Sequence, residues 1–141
     1  MIVLDTNVLS ELWRATPDPG VLTWVDAQAV ETLYLTAVTV AELRFGLATM
    51  PADKRRDIFR DRLEREVLPA FAGRVLPFDL DASRHYAAFM ARARAAGKAI
   101  GMADGTIAAT AAVRGFIVAT RDTGPFEATG IGVINPWRTA G

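Results

Sequence analysis

Cysteine is absent from the 141 residues, and histidine occurs once, as His85. The first absence excludes disulfides, thiolate metal sites and a cysteine nucleophile, and it fits a reducing compartment. Together the two disfavour zinc, whose protein ligands come mainly from those residue types. An excess of either charge is also missing, since sixteen Lys and Arg balance sixteen Asp and Glu. Any basic footprint for nucleic acid therefore has to be local. No apolar run approaches the roughly 18 residues of a membrane helix, and the N-terminus lacks a basic region followed by a cleavage signal. These absences predict a cytoplasmic protein with no membrane partner. Repeats, linkers and low-complexity segments are missing too, so the length is read as one domain over residues 1–141.

What is present alternates between strand-like and helix-like segments, the pattern of an α/β fold with a largely parallel sheet. Ile2 to Leu4 is an unbroken apolar run that stops at Asp5, as expected of a strand buried on both faces. Further strands are expected at Leu33–Thr36, Arg74–Phe78, Phe116–Ala119 and Ile131–Ile134. Helices are expected from Val8 to Arg14, after the Asp18-Pro19 start signal, from near Thr39, and from Asp53 to about Val67, with Pro69 closing the last. Two more are expected, from an Asp81 or Ser83 cap to Ala96 and over the alanine-rich Met102–Arg114. The latter is apolar nearly all round and reads as a buried, closely packed helix.

Four acids stand beside apolar elements: Asp5, Glu42, Asp104 and Asp122. Each has a local alternative. Asp5 can cap the first helix, Glu42 has capping-box spacing from Thr39, Asp104 can complement a helix dipole, and Asp122 can form a turn with Thr123 and Gly124. Convergence at the carboxyl edge of the sheet, where open α/β sheets bind ligands, explains all four at once. Carboxylates crowded there cannot all stay ionised without a counter-charge. Oxygen-only donors select Mg²⁺ or Mn²⁺, and such an ion suits phosphodiester hydrolysis by an activated water attacking in line. Asn7 and Thr120 lie near the same edge and can orient a carboxylate or a bound water, or serve only the turn. Arg92, Arg94, Lys98 and Arg121 are candidate phosphate contacts for RNA. Trp13 and Trp24 could stack on bases, although their apolar spacing favours packing. His85 reads as an ordinary mid-helix residue.

Asp5-Thr6-Asn7-Val8 after an apolar strand, Thr39-Val40-Ala41-Glu42-Leu43, ADGTIAATA from Ala103, and Ala119-Thr120-Arg121-Asp122-Thr123-Gly124 resemble the PIN-domain nucleases. Within them the likeness is to the VapC toxin ribonucleases and their FitB-type subgroup, which the tail Asn135-Pro136-Trp137 also fits. The resemblance spans essentially the whole chain. It implies a three-layer sandwich with a central parallel sheet in the order 3-2-1-4-5 flanked by helices. It also implies a metal site in which Asp5 and Asp104 are the more direct ligands, while Glu42 and Asp122 complete the cup partly through water. Mg²⁺- or Mn²⁺-dependent RNA cleavage, a homodimer and a cognate antitoxin that blocks the site follow as expectations. Asp122 stands where many relatives have asparagine, which leaves one or two metals open.

Two other functions fit parts of the pattern. Haloacid-dehalogenase-like phosphatases also start with a strand ending in Asp, but they need a second Asp where this chain has Asn7. A catalytically weak module that holds an antitoxin would retain the fold without the chemistry.

Overall fold

In the computed structural model, which describes residues 1–138, five strands form one parallel sheet in the order β3-β2-β1-β4-β5. They are β1 (Ile2–Leu4), β2 (Leu33–Thr36), β3 (Val75–Leu76), β4 (Ile117–Ala119) and β5 (Val133–Ile134). This is the implied order, although β3, β4 and β5 are shorter than the apolar runs that announce them. The expected domain over 1–141 takes in residues 139–141, which lie outside the described range. Among the described residues no helix is long and apolar enough to cross a membrane.

Neighbouring residues of β1 face opposite ways, as the pleat requires. Leu4 packs into one core with Val8, Leu9, Leu35, Leu43 and Leu63. Val3 packs into another with Phe89, Ile107, Ala108, Ala111 and Phe126. The two cores are the two faces of the sheet, which is why the strand is apolar without alternation.

The first core is built with α1 (Thr6–Leu12), α2 (Pro19–Asp26) and α3 (Ala37–Ala48), and the second with α6 (Leu80–Ala95), α7 (Met102–Val113) and α8 (Thr123–Glu127). Ala108, Ala109 and Ala111 of α7 are fully buried. At Gly105 an added Cβ would sit 2.8 Å from Met90 Sδ and 3.2 Å from Tyr86 Cε2. The small residues therefore let α7 come close against α6, as the alanine-rich sequence implies.

Several boundaries differ from expectation, each for a local reason. α1 opens two residues early because Asp5 caps it, its Oδ1 accepting the Thr6 N–H at 2.8 Å. α3 opens at Ala37 because Thr36 Oγ1 accepts the Thr39 N–H at 3.1 Å; the capping box from Thr39 to Glu42 does not form. α6 is capped by Asp79, not Asp81 or Ser83, with Oδ1 accepting the Ala82 N–H at 2.9 Å. Pro69 does not end its helix. α4 (Lys54–Asp61) runs into a π-helical segment, Arg62–Val67, and then a last turn, α5 (Leu68–Ala70). Leu68 N–H bonds to Leu63 O, five residues back. The wider turn relieves the clash that a proline ring makes with a normal helix ladder. The segment after Asp122, for which a turn is the local alternative, is the short helix α8, held by the fully buried Phe126.

Candidate active site

The carboxyl ends of β1 and β4 lie side by side, and the chain beyond each carries polar residues. Asp5 N–H continues the sheet ladder to Ala119 O at 2.9 Å. Its side chain is only 5% exposed and is held by both oxygens. Oδ1 caps α1, and Oδ2 accepts the Thr120 hydroxyl at 2.8 Å. Thr120 is itself buried, and its Oγ1 accepts from Asn7 Nδ2 at 3.2 Å and from Asp122 N–H at 3.1 Å. One hydroxyl thus joins residues about 115 positions apart in sequence. Local capping and convergence are therefore compatible for Asp5, because one carboxylate oxygen serves each.

Glu42 is exposed on the second turn of α3. Its Oε1 accepts the Thr6 hydroxyl at 2.6 Å. Behind it the hydroxyls of Thr6 and Thr39 lie 3.3 Å apart, and those of Thr39 and Thr36 lie 3.2 Å apart. Since each hydroxyl has one proton to give, the row is satisfied when all point toward Glu42, from Thr36 through Thr39 and Thr6. Asp104 sits half-buried in the first turn of α7.

The acids sense one another. Burial pushes Asp5 up to about 6, against hydrogen bonds from Thr120 and Thr6 that pull the other way, and the charges of Asp104 and Glu42 raise it further. Asp104 is also raised, first by burial and then by Asp122 and Glu42. All four acids therefore act on one electrostatic region.

Asp5, Asn7, Glu42, Asp104 and Arg121 line a cleft of about 480 Å³. Asp122 is exposed and is not among the lining residues; its backbone N–H donates to Thr120 Oγ1. Arg92 and Lys98 lie elsewhere. Arg92 donates to Thr129 O at 3.2 Å and covers the Phe89 ring, while Lys98 borders a separate depression with Gly124 and Pro125. Arg94 borders another beside Met90 and Ile100. Trp13 stacks on Phe59 with ring centroids 6.1 Å apart, Trp24 packs on the first core, and His85 lies by Phe89.

Sequence reasoning missed Thr6, Ser10, Glu11, Arg14 and Trp137, which also line the cleft. A signal existed for α1: Asn7, Ser10, Glu11 and Arg14 recur at three- and four-residue spacing on one helical face. Nothing local marks Trp137.

Among the described residues no group of three or more acidic or histidine side chains is set to hold a metal ion unaided. The donor chemistry nevertheless fits a hard divalent ion. Every donor is oxygen, the carboxylates repel one another, and Mg²⁺ commonly takes only one or two carboxylates while keeping several waters.

A family model described as the PIN domain matches residues 2–131. The chain belongs to the PIN-domain family. This PIN domain is 72% identical over 140 residues to the VapC ribonuclease Y4jK of Sinorhizobium fredii, covering 99% of this chain and 100% of that one. It is 49% identical over 137 residues to Toxin FitB of Neisseria gonorrhoeae, covering 97% and 99%. The crystal structure of FitAcB from Neisseria gonorrhoeae superposes with a TM-score of 0.95 at 48% identity, covering 99% of this chain and 100% of that chain. The VapBC2 structure from Rickettsia felis, bound to a DNA fragment, shares the fold with a TM-score of 0.76 at 20% identity, covering 96% and 98%.

The Thr120 hydroxyl supplies a first prediction. Thr120→Val keeps the shape but removes the hydroxyl donor to Asp5 Oδ2 and the acceptor for Asp122 N–H, leaving Oδ2 only the long 3.5 Å bond from Asn7 Nδ2. We expect divalent-metal affinity, read by isothermal titration calorimetry, to fall about 10- to 100-fold, the usual cost of losing such a support. An unchanged affinity would show that Thr120 does not orient Asp5 for the ion.

Proposed function

We propose that this chain is a divalent-metal-dependent endoribonuclease, the toxin of a toxin–antitoxin pair. The observation that carries the reading is the meeting of Asp5, Glu42 and Asp104 on one cleft, at the carboxyl edge of the sheet of a PIN domain. The names of its relatives support the same activity class.

Asp5 and Asp104 would hold Mg²⁺ or Mn²⁺, with Glu42 and Asp122 reaching it partly through water. Bound there, the ion supplies charge stabilisation to the phosphoryl group and a lowered pKa to a water. Thr120 and the capping bond from Thr6 hold both Asp5 oxygens in one orientation, so little reorganisation accompanies the reaction. Thr6 holds Glu42 by Oε1, which leaves Oε2 as the oxygen that takes the proton of the attacking water. Asn7 Nδ2 donates to Thr120, and Asn7 Oδ1 accepts the Arg121 N–H at 3.3 Å. Asn7 thus ties the Arg121–Asp122 segment to α1, and it stands where a haloacid-dehalogenase-like phosphatase needs its second Asp.

For the partner we infer an antitoxin that covers the cleft. An apolar groove lined by Trp13, Leu43, Leu47, Met50 and Phe59 shares Thr6, Ser10, Arg14 and Glu42 with it. An antitoxin in that groove would reach the acids. The FitAB and VapBC complexes among the structural neighbours favour such a partner, and a homodimer belongs to the same reading.

Antitoxin-free protein incubated with defined RNA and DNA strands is expected to cut RNA with Mg²⁺ or Mn²⁺ and to stop in EDTA, seen by gel electrophoresis. Cleavage that persists in EDTA would overturn the metal mechanism. Cleavage of DNA alone would overturn the substrate, and no cleavage with either ion would favour a catalytically weak binding module.

A further inference from the structure

The tail after β5 returns to the cleft, and its path leaves a buried acid to be explained. Glu11 of α1 is 4% exposed. Its Oε1 accepts the indole Nε1–H of Trp137 at 3.2 Å and lies 3.5 Å from Arg14 Nη1. Its Oε2 is buried with no hydrogen-bond partner. Burying a carboxylate this way is costly, so the arrangement calls for a purpose beyond stability.

The indole it holds is a platform. The Arg121 guanidinium lies over the Trp137 ring, 5.3 Å from its centroid. The tail and the Arg121 backbone are also tied together. Trp137 N–H donates to Asn135 Oδ1 at 2.9 Å, Asn135 Nδ2 reaches Arg121 O at 3.5 Å, and Arg121 N–H donates to Asn7 Oδ1. Three separate parts of the chain therefore fix one guanidinium at the rim of the cleft.

The two arginines of the cleft differ in charge balance. Arg14 is paired with Glu11. Arg121 makes no ion pair among the described residues, and it lines the same cleft as Asp5, Glu42 and Asp104. A polyanion entering there meets repulsion from the acids and one unneutralised cation. Arginine stacked on an aromatic face keeps its N–H fork free for a phosphate.

We propose that Trp137, tethered by Glu11, is a positioning residue that seats Arg121 as the cleft's contact to an RNA phosphate flanking the cleaved bond. This rests on the ribonuclease reading above and adds to it a defined contact and the means of holding it.

The test is the salt dependence of binding to a fluorescently labelled single-stranded RNA, followed by anisotropy with full-length protein carrying Asp5→Asn to prevent cleavage. Losing one phosphate contact lowers the slope of log K against log salt by about 0.7. Arg121→Ala is expected to lose that increment, Trp137→Leu to lose the same one, and the double variant to lose no more than either. Glu11→Leu, which fills the same space and cuts the tether while leaving the ring, also releases Arg14, so it is made together with Arg14→Leu; relative to Arg14→Leu alone it is expected to lose the same increment, and it carries the test if Trp137→Leu does not fold. Slopes that fall for Arg121→Ala but hold for both Trp137→Leu and Glu11→Leu would overturn the seat. Additive losses, or an unchanged slope for Arg121→Ala, would do the same. If the unsubstituted chain cuts RNA with Mn²⁺, such results sink the seat alone; if it neither cuts nor binds RNA, the ribonuclease reading falls with it.

Discussion

Asp5→Asn is expected to abolish RNA cleavage, by about a thousandfold or more, while making the metal-free protein more stable at neutral pH. The first effect follows, on the proposed mechanism, from removing the charge that a divalent ion would meet, where several kcal/mol of charge stabilisation are at stake. The second follows from the raised pKa. Asp5 titrates near 3.8 when unfolded and at about 6 in the fold, with burial as the main cause. Between those values the native state holds the extra proton, so stability falls as pH rises. The contribution is fully present below 3.8 and is lost as pH passes through about 6. Across that window the loss amounts to at most about 3 kcal/mol. Asparagine keeps an acceptor for Thr6 or Thr120 and removes the charge, so we expect a gain of roughly 1–3 kcal/mol above pH 7. Urea denaturation in EDTA at a series of pH values checks it. The difference between the two proteins should shrink toward zero by pH 4. A constant difference would show that the Asp5 carboxylate is not what the fold resists. The same relation means that metal binding displaces a proton from this site below pH 6.

Phe126→Ala is expected to cost about 3–5 kcal/mol, the range for truncating a buried aromatic. Phe126 is fully buried among Ile107, Ala108 and Val118, and alanine neighbours have no side-chain length with which to close the gap. For a domain of this size that is a large share of total stability. Phe126 is also what anchors α8, whose first residue follows Asp122. RNA cleavage should therefore decline before global unfolding, as the Asp122 loop loosens. Thermal melts alongside cleavage rates check both parts, with Phe126→Leu as the milder control. A melting temperature within a few degrees of the parent would mean that α8 is not held by this side chain.

Those two residues also mark what could be read from sequence and what could not. The acids were legible because each stands beside an apolar segment, three of them near a strand end or a helix start. The sheet order came with the resemblance those motifs carry, and the buried character of α7 came from its alanines. Phe126 was not legible: five residues of helix between a turn signal and Gly130 give no period to detect. Pro69 misled because a proline stops a regular helix, and nothing in Arg62–Val67 announces the π-helical detour. Asp79 was passed over for Asp81 because three candidate caps crowd one turn, and backbone geometry chooses among them. The pair of Glu11 and Trp137 lies 126 positions apart, and only the closed fold brings an indole to that carboxylate.

The register of β1 on β4, Ile2 against Ile117, has a consequence for the newly made chain. At synthesis rates of about 5–20 residues per second, Asp5 leaves the ribosome several seconds before Thr120 does. Until then the first strand lacks one of its two neighbours, and the carboxylate at its tip lacks its hydroxyl partner. A nascent or truncated chain that stops short of β4 therefore has an incomplete acid pocket, without Thr120 and Asp122. On the proposed ribonuclease activity, the message and the machinery producing the chain are in this way spared until synthesis is nearly over.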